Sequence, residues 1–221
     1  MIKKYILKLL LILFPIALSA QTGSTTAGHI DHGATKILDE ISVKYGAYTT
    51  VKISYTYKAE KEDKVLDTKK GTMNVKGNQY YFTFGEQETF CDGVNIWNYQ
   101  KNSNEISIFE YDAEDDMMLN PTKMLQGWKK NYRAKTIREE FENGKNLVLI
   151  DITPIKSQSY YRIRLFVEKG KQNVIRFTVY EKDNTLYTYY FDKFTPDVPI
   201  EDSQFKLDPA KYPGAEINDM R

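Results

Sequence analysis

The sequence predicts a mainly β protein: an open, incomplete antiparallel β-barrel of about eleven strands, with a helical lid over a hydrophobic concavity. Three observations carry this. Beyond residue 50, apolar and polar residues alternate with period two, in runs separated by turn residues at hairpin spacing. Only two stretches show helical periodicity, each with a single apolar stripe. Finally, 17 Tyr and 11 Phe favour pleated strands that are half exposed to solvent or to a ligand. A sheet of so many strands must curl. The two amphipathic helices need a surface to cover, so the sheet reads as open, with the helices on its concave side.

The first helix carries Ile30, Ala34, Ile37, Leu38, Ile41 and Tyr45 on one stripe, with Asp31 or Thr26 to cap its start and Gly46 to end it. Val51, Ile53, Tyr55 and Tyr57 then alternate with polar residues, which describes a strand with one wet face. A charged turn at 60–64 leads to a polar strand ending near Lys76. Gly77-Asn78 turns the chain into a strand on which Tyr80, Phe82 and Phe84 alternate. Gln87 to Cys91 and Val94 to Tyr99 flank Asp92-Gly93, read as a two-residue hairpin turn. After a strand from Glu105 to Glu110 and an acidic connection, Asn120 and Pro121 start the second helix. Its apolar face is Met124, Leu125, Trp128 and Tyr132. Asn143-Gly144 marks a further hairpin. Next, Tyr161, Ile163, Leu165 and Val167 alternate with Tyr160, Arg162, Arg164 and Phe166, and two more strands reach Phe194. Phe205 and Leu207 offer one last short strand, and 209–221 reads as a loose tail.

Residues 1–20 have a basic start, an apolar run from Leu9 to Leu18 and a small residue at Ala20. This is the pattern of a secretory signal peptide cleaved before Gln21, and the run is shorter than the ~20 residues a membrane span needs. Residues 21–221 then form one domain, because no linker or repeat divides them. Without Lys3, Lys4 and Lys8 the charge is about −2, so nothing in the balance points to nucleic acid. The single cysteine, Cys91, excludes an internal disulfide and a cysteine metal cluster.

The chemistry of catalysis is not supported. There is no nucleophile elbow and no phosphate loop. His29 and His32 are spaced to share a metal on a helix start, but the sequence places no third ligand, so they read as a solvated helix end and no metal or cofactor is expected. Asp112 to Asp116 lacks the spacing of a calcium loop and reads as a solvated connection. Cys91 reads as a small strand filler. What remains is apolar surface. Part of it must form the core, and the functional reading makes the rest a ligand site. That site has walls of Val51, Ile53, Tyr55, Tyr80, Phe82 and Phe84, and a lid of Ile37, Ile41, Met124, Leu125 and Trp128.

The stretch Cys91-Asp92-Gly93-Val94-Asn95-Ile96-Trp97-Asn98-Tyr99 resembles the S-D-G-x-x-L-W-x-Y hairpin of the LolA family, the periplasmic outer-membrane lipoprotein carriers. The order of elements agrees over nearly the whole chain past residue 20. Phe205-Lys206-Leu207-Asp208-Pro209 is similar to the family's F-x-F-x-P. The resemblance implies an unclosed barrel whose apolar concavity receives the acyl chains of lipoproteins. It implies an inner-membrane ABC-type release complex and an outer-membrane acceptor as partners, with no cofactor. The expected form is a periplasmic monomer. The family's lid latch is an arginine in an R-P pair, and the matching place here is Lys76-Gly77. A lysine donates as a point charge where arginine offers a planar fork, so a latch of the family's geometry is not expected at Lys76, and either the carrier sits more open or another residue closes it. A rival reading on the same fold is a module that binds or senses free lipids or other apolar ligands in the cell envelope.

Overall fold

The computed structural model describes residues 31–112 and 121–221. Residues 1–30, including the predicted leader and His29, lie outside these, as do Asn120 and most of the acidic connection. The described chain forms α1 (His32–Gly46), β1 (Val51–Lys61), β2 (Lys64–Lys76), β3 (Gln79–Phe84), β4 (Gln87–Cys91), β5 (Asn95–Gln100) and β6 (Glu105–Glu110). It continues through α2 (Pro121–Gln126), α3 (Trp128–Asn131), β7 (Tyr132–Glu142), β8 (Lys145–Pro154), β9 (Tyr160–Glu168), β10 (Asn173–Glu181) and β11 (Leu186–Pro196). It closes with β12 (Glu216–Asp219).

All twelve strands join one sheet in the order β12-β6-β5-β4-β3-β2-β1-β11-β10-β9-β8-β7. Sequential hairpins give antiparallel neighbours on either side of the β1–β11 pair, which is antiparallel but joins distant parts of the chain, and β12 lies parallel to β6. β12 and β7 form the two edges and do not pair, so the barrel is open as predicted. Irregular registers at Ser54/Tyr55, Thr136/Arg138 and Val174/Arg176 mark bulges, which bend strands and increase twist. They let so broad a sheet curl.

The alternation decides which face is inner. In β1, Val51, Ile53, Tyr55, Tyr57 and Ala59 are buried on that face while the residues between them are less so. All three helices lie on the same inner face. Ala34, Leu38, Ile41 and Tyr45 of α1 pack with Met124, Leu125 and Trp128 onto Val148, Ile150, Ile152, Ile163, Leu165 and Val174. Burying each large aliphatic side chain contributes roughly 1.5–3 kcal/mol, far more than the short helices α2 and α3 hold on propensity alone.

Several local expectations are corrected. The second helix is broken at Gly127, and Tyr132 opens β7 instead of ending a helix, yet it still buries in the helix-covered cluster. The hairpin turn centres on Gly93-Val94 and not on Asp92-Gly93. The Asp92 amide donates to the Asn95 carbonyl at 3.2 Å, and Asp92 Oδ1 accepts from the Val94 and Asn95 amides at 2.9 and 2.8 Å. Gly93, at φ +86°, takes the positive-φ position of that turn. In β9 an irregular register turns Tyr160 inward and leaves Tyr161 exposed, against the simple alternation. The Phe205–Leu207 segment is a 3-10 turn, Asp202–Phe205, followed by an extended strap. Phe205 and Leu207 are buried, and Leu207, Tyr212 and Ala215 cover the outer face of β3 to β6 against Phe90, Trp97 and Ile106. The supposed loose tail then supplies the twelfth strand.

Candidate functional site

The inner face carries two apolar clusters. The first, described above, is mainly aliphatic and lies under the helices. The second consists of Val51, Ile53, Tyr55, Tyr57, Ala59, Val75, Tyr80, Phe82 and Cys91, and draws no member from a described helix. Tyr48, Tyr187, Tyr189, Phe191 and Phe194 pack against both and join them into one surface. The seam is aromatic: Phe177 stacks on Tyr189 at 4.8 Å, and Tyr57 meets Tyr189 at 5.2 Å and the edge of Phe84 at 4.7 Å. At the far end the Tyr132 and Tyr160 hydroxyls bond each other at 2.8 Å.

Every predicted wall and lid residue faces inward, but they divide between the clusters. Val51, Ile53, Tyr55, Tyr80 and Phe82 are buried in the second, with Phe84 half-buried at its border. Ile41, Met124, Leu125 and Trp128 are buried in the first, and Ile37 packs beside them. The sequence reading missed the β11 row, Tyr187, Tyr189 and Phe191, although its period-two spacing was there to be read. It also left out Tyr57. Cys91 is fully buried opposite Tyr80 and fills space as expected. His32 is exposed, and among the described residues no group of three His, Cys, Asp or Glu side chains could hold a metal.

The electrostatics of the surface are those of neutral phenols. Burial pushes the hydroxyls of Tyr45, Tyr55 and Tyr189 up to about 12, so none ionises near neutral pH. Tyr55 Oη donates to the Thr83 carbonyl at 2.7 Å, while the Val174 amide donates to Tyr45 Oη at 3.1 Å. Such a wall can hold apolar chains and accept or donate single hydrogen bonds.

Lys76 points to the outer face, where its Nζ meets Asp202 Oδ1 of the 3-10 turn at 2.6 Å. The bonds that hold the helices come from elsewhere. Asp31 Oδ1 caps α1 by accepting the Ala34 amide at 2.9 Å, and its Oδ2 accepts the Thr136 amide of β7 at 2.8 Å. Lys44 Nζ donates to the Lys171 carbonyl at 2.7 Å, and Lys129 of α3 pairs with Asp39 of α1 at 2.8 Å. A cleft of about 700 Å³ lies between the Gly93 turn and the Asp219–Arg221 ion pair; its walls are largely polar, and one of them, Tyr111, packs on the border of the second cluster.

Compared with known families, the profile described as outer membrane lipoprotein carrier protein LolA matches residues 47–208. The chain belongs to the LolA family. Among solved structures, an uncharacterised conserved protein from Thermus thermophilus superposes with a TM-score of 0.56 at 13% identity, over 85% of this chain and 99% of that one. A LolA superfamily protein from Nitrosomonas europaea gives 0.44 at 12% identity, over 79% and 97%. The Mycobacterium tuberculosis lipoprotein LppX gives 0.44 at 12%, over 76% and 99%. No curated protein matches the sequence. The family match gives the LolA family, and the Thermus thermophilus protein shares its architecture. Among the described residues no helix is long and apolar enough to cross a membrane.

Proposed function

We propose that this protein is a periplasmic carrier that takes the acyl chains of lipoproteins from an inner-membrane ABC-type release complex and delivers them to an outer-membrane acceptor. The observation that carries the reading is the joined inner surface, aliphatic under α1 to α3 and aromatic over β1 to β3 and β11. Each methylene moved from water onto it contributes roughly 0.8 kcal/mol. Release then requires the helices to compete with the chains for the aliphatic half. Asp31, Lys44 and Lys129 hold that lid, in place of a latch at Lys76. The Lys129–Asp39 pair is an exposed contact of small individual worth, which suits a lid that opens.

Native mass spectrometry of the protein extracted from the cell envelope tests the reading. Bound acylated proteins are expected, whereas free lipids alone would assign the site to a lipid-binding module. Two variants locate the site. In Phe82→Glu a carboxylate replaces a ring that is 9% exposed, so unpaired charge enters the surface meant for acyl chains. A folded protein that accepts no lipoprotein is expected; full carrier activity removes Phe82 from the site, and unfolding assigns it to the core. Phe84→Glu is the milder companion, because Lys69 Nζ lies 4.8 Å from that ring and can pair with the new carboxylate. Trp128 fluorescence should shift when an acyl ligand enters, and an unchanged spectrum in a loaded sample would place the ligand away from α3.

A further inference from the structure

The outer face of β7 to β10 differs from the rest of the convex surface at the end where α3 runs into β7. Register places Arg133 opposite Thr153 and Lys135 opposite Asp151, while Asp151 is opposite Arg164. Ile150 and Ile152 pack inward against the helices, so this row faces outward. Arg162 Nη1 and Arg164 Nε reach Asp151 at 3.2 and 2.6 Å, and the Arg162 guanidinium lies 3.8 Å from the Tyr180 ring. One carboxylate therefore serves two arginines and leaves the cluster positive. The β8–β9 loop folds against the same end, where the Ile155 amide donates to the Asn131 carbonyl at 2.8 Å and Lys182 Nζ donates to Ser157 Oγ at 3.1 Å. Lys156 of that loop, Arg133 and Lys135 are all exposed. Among the described residues Glu181 adds a carboxylate nearby, where it accepts from Ser159 Oγ at 3.4 Å, and Glu140 lies close enough to act on the charge of Arg164.

Apolar groups stand among these cations. Ile155 is 52% exposed and Tyr161 44% exposed, the latter because the irregular start of β9 turns it outward. Exposed cations around a protruding isoleucine and a tyrosine match a bilayer surface, where anionic headgroups meet the ammonium and guanidinium groups and the apolar side chains enter the interface. An acidic peptide would complement the charge alone and would leave Ile155 in water.

We propose that this end of the β7–β10 outer face is a docking surface for an anionic lipid bilayer. Contact there is peripheral and reversible, since a few cations and two side chains fall far short of an anchor. It brings the α3–β7 end of the protein, with the helices on the opposite face of the sheet, up to the membrane. The contact does not depend on what the inner face carries.

The test is flotation of the full chain with phosphatidylcholine vesicles, with and without phosphatidylglycerol, in low salt. Binding to the phosphatidylglycerol vesicles alone is expected, and it should fall as salt rises. Each cation at such a surface changes affinity about fivefold. The triple variant Arg133→Gln, Lys135→Gln and Lys156→Gln should therefore weaken binding on the order of a hundredfold. Ile155→Ser should weaken it several-fold and leave the salt dependence intact. The control Lys52→Gln, Lys70→Gln and Lys193→Gln makes the same change of charge with exposed residues elsewhere on the molecule, and should bind as the parent does. All the substituted side chains are exposed, and circular dichroism confirms folding. Equal losses in the triple variant and the control would overturn the proposal, since net charge alone would then explain binding. So would undiminished binding by the triple variant, or no binding by the parent. Capture of soluble polyglutamate by the parent, without vesicle binding, would make the surface a site for an acidic peptide and refute the lipid reading.

Discussion

At the scale of single residues, the inner wall depends on a close approach at Gly71. A Cβ there would stand 2.3 Å from the Thr83 carbonyl and 2.5 Å from the Tyr55 ring, so only glycine lets Tyr55 cross β2 and reach Thr83. Gly71→Ala is expected to cost about 1–3 kcal/mol, as overpacking does, and to lower the thermal midpoint. An unchanged midpoint would mean that Tyr55 moves aside freely. This contact was not legible in the sequence. Gly71 stands in a polar run, and the neighbour that requires it is Tyr55, on the adjacent strand. Asp92 illustrates the same limit: the D-G pair signalled a turn correctly, but the side-chain bonds that move its centre by one residue are three-dimensional facts.

At the scale of the element, α1 is fixed at its start by one carboxylate. The amides of Ala34 and Thr136 hold the Asp31 carboxyl below its ordinary 3.8. Because the folded state favours the charged form, the stabilisation is complete above that value and is lost as the pH falls below it, through the lower folded value. Asp31→Ala should cost about 1–2 kcal/mol as a lost N-cap, since Thr136 also loses its acceptor. Amide exchange should rise first in α1 and the adjacent stretch of β7. Uniform exchange across the sheet would show that the cap does not hold the lid. The sequence offered Asp31 as a cap, and it is one. Its second bond, to the edge strand, depends on how the helix docks. Likewise the apolar stripe of the second helix was read correctly, while its interruption at Gly127 was not, because packing onto the sheet sets where the helix ends and β7 begins.

At the scale of the whole molecule, the open sheet needs both faces covered where it is apolar. The helices cover half of the inner face, and the strap after β11 covers the outer face of β3 to β6. Phe205, the last residue of the 3-10 turn that leads into that strap, is fully buried. Phe205→Ala should cost about 3–5 kcal/mol, a large share of the ~5–15 kcal/mol typical of a domain. Urea unfolding measures it. A loss under about 1 kcal/mol, well below what a buried ring costs, would show that the strap rides on the sheet without supporting it.

By itself the sequence determined the class of fold, the hairpin order, the two amphipathic stripes and the inward rows of β1 and β3. Those follow from local periodicity and turn residues, which a chain carries whatever its neighbours are. The tertiary structure alone decided three things. The tail becomes an edge strand parallel to β6, because β6 has an unpaired edge for it to satisfy. Lys76 faces Asp202 of the 3-10 turn instead of the lid. The wall and lid residues divide between an aliphatic cluster under the helices and an aromatic one beside it, joined by β11. In each case the deciding contact joins residues far apart in the chain, and periodicity fixes which face a side chain takes without fixing what it meets there.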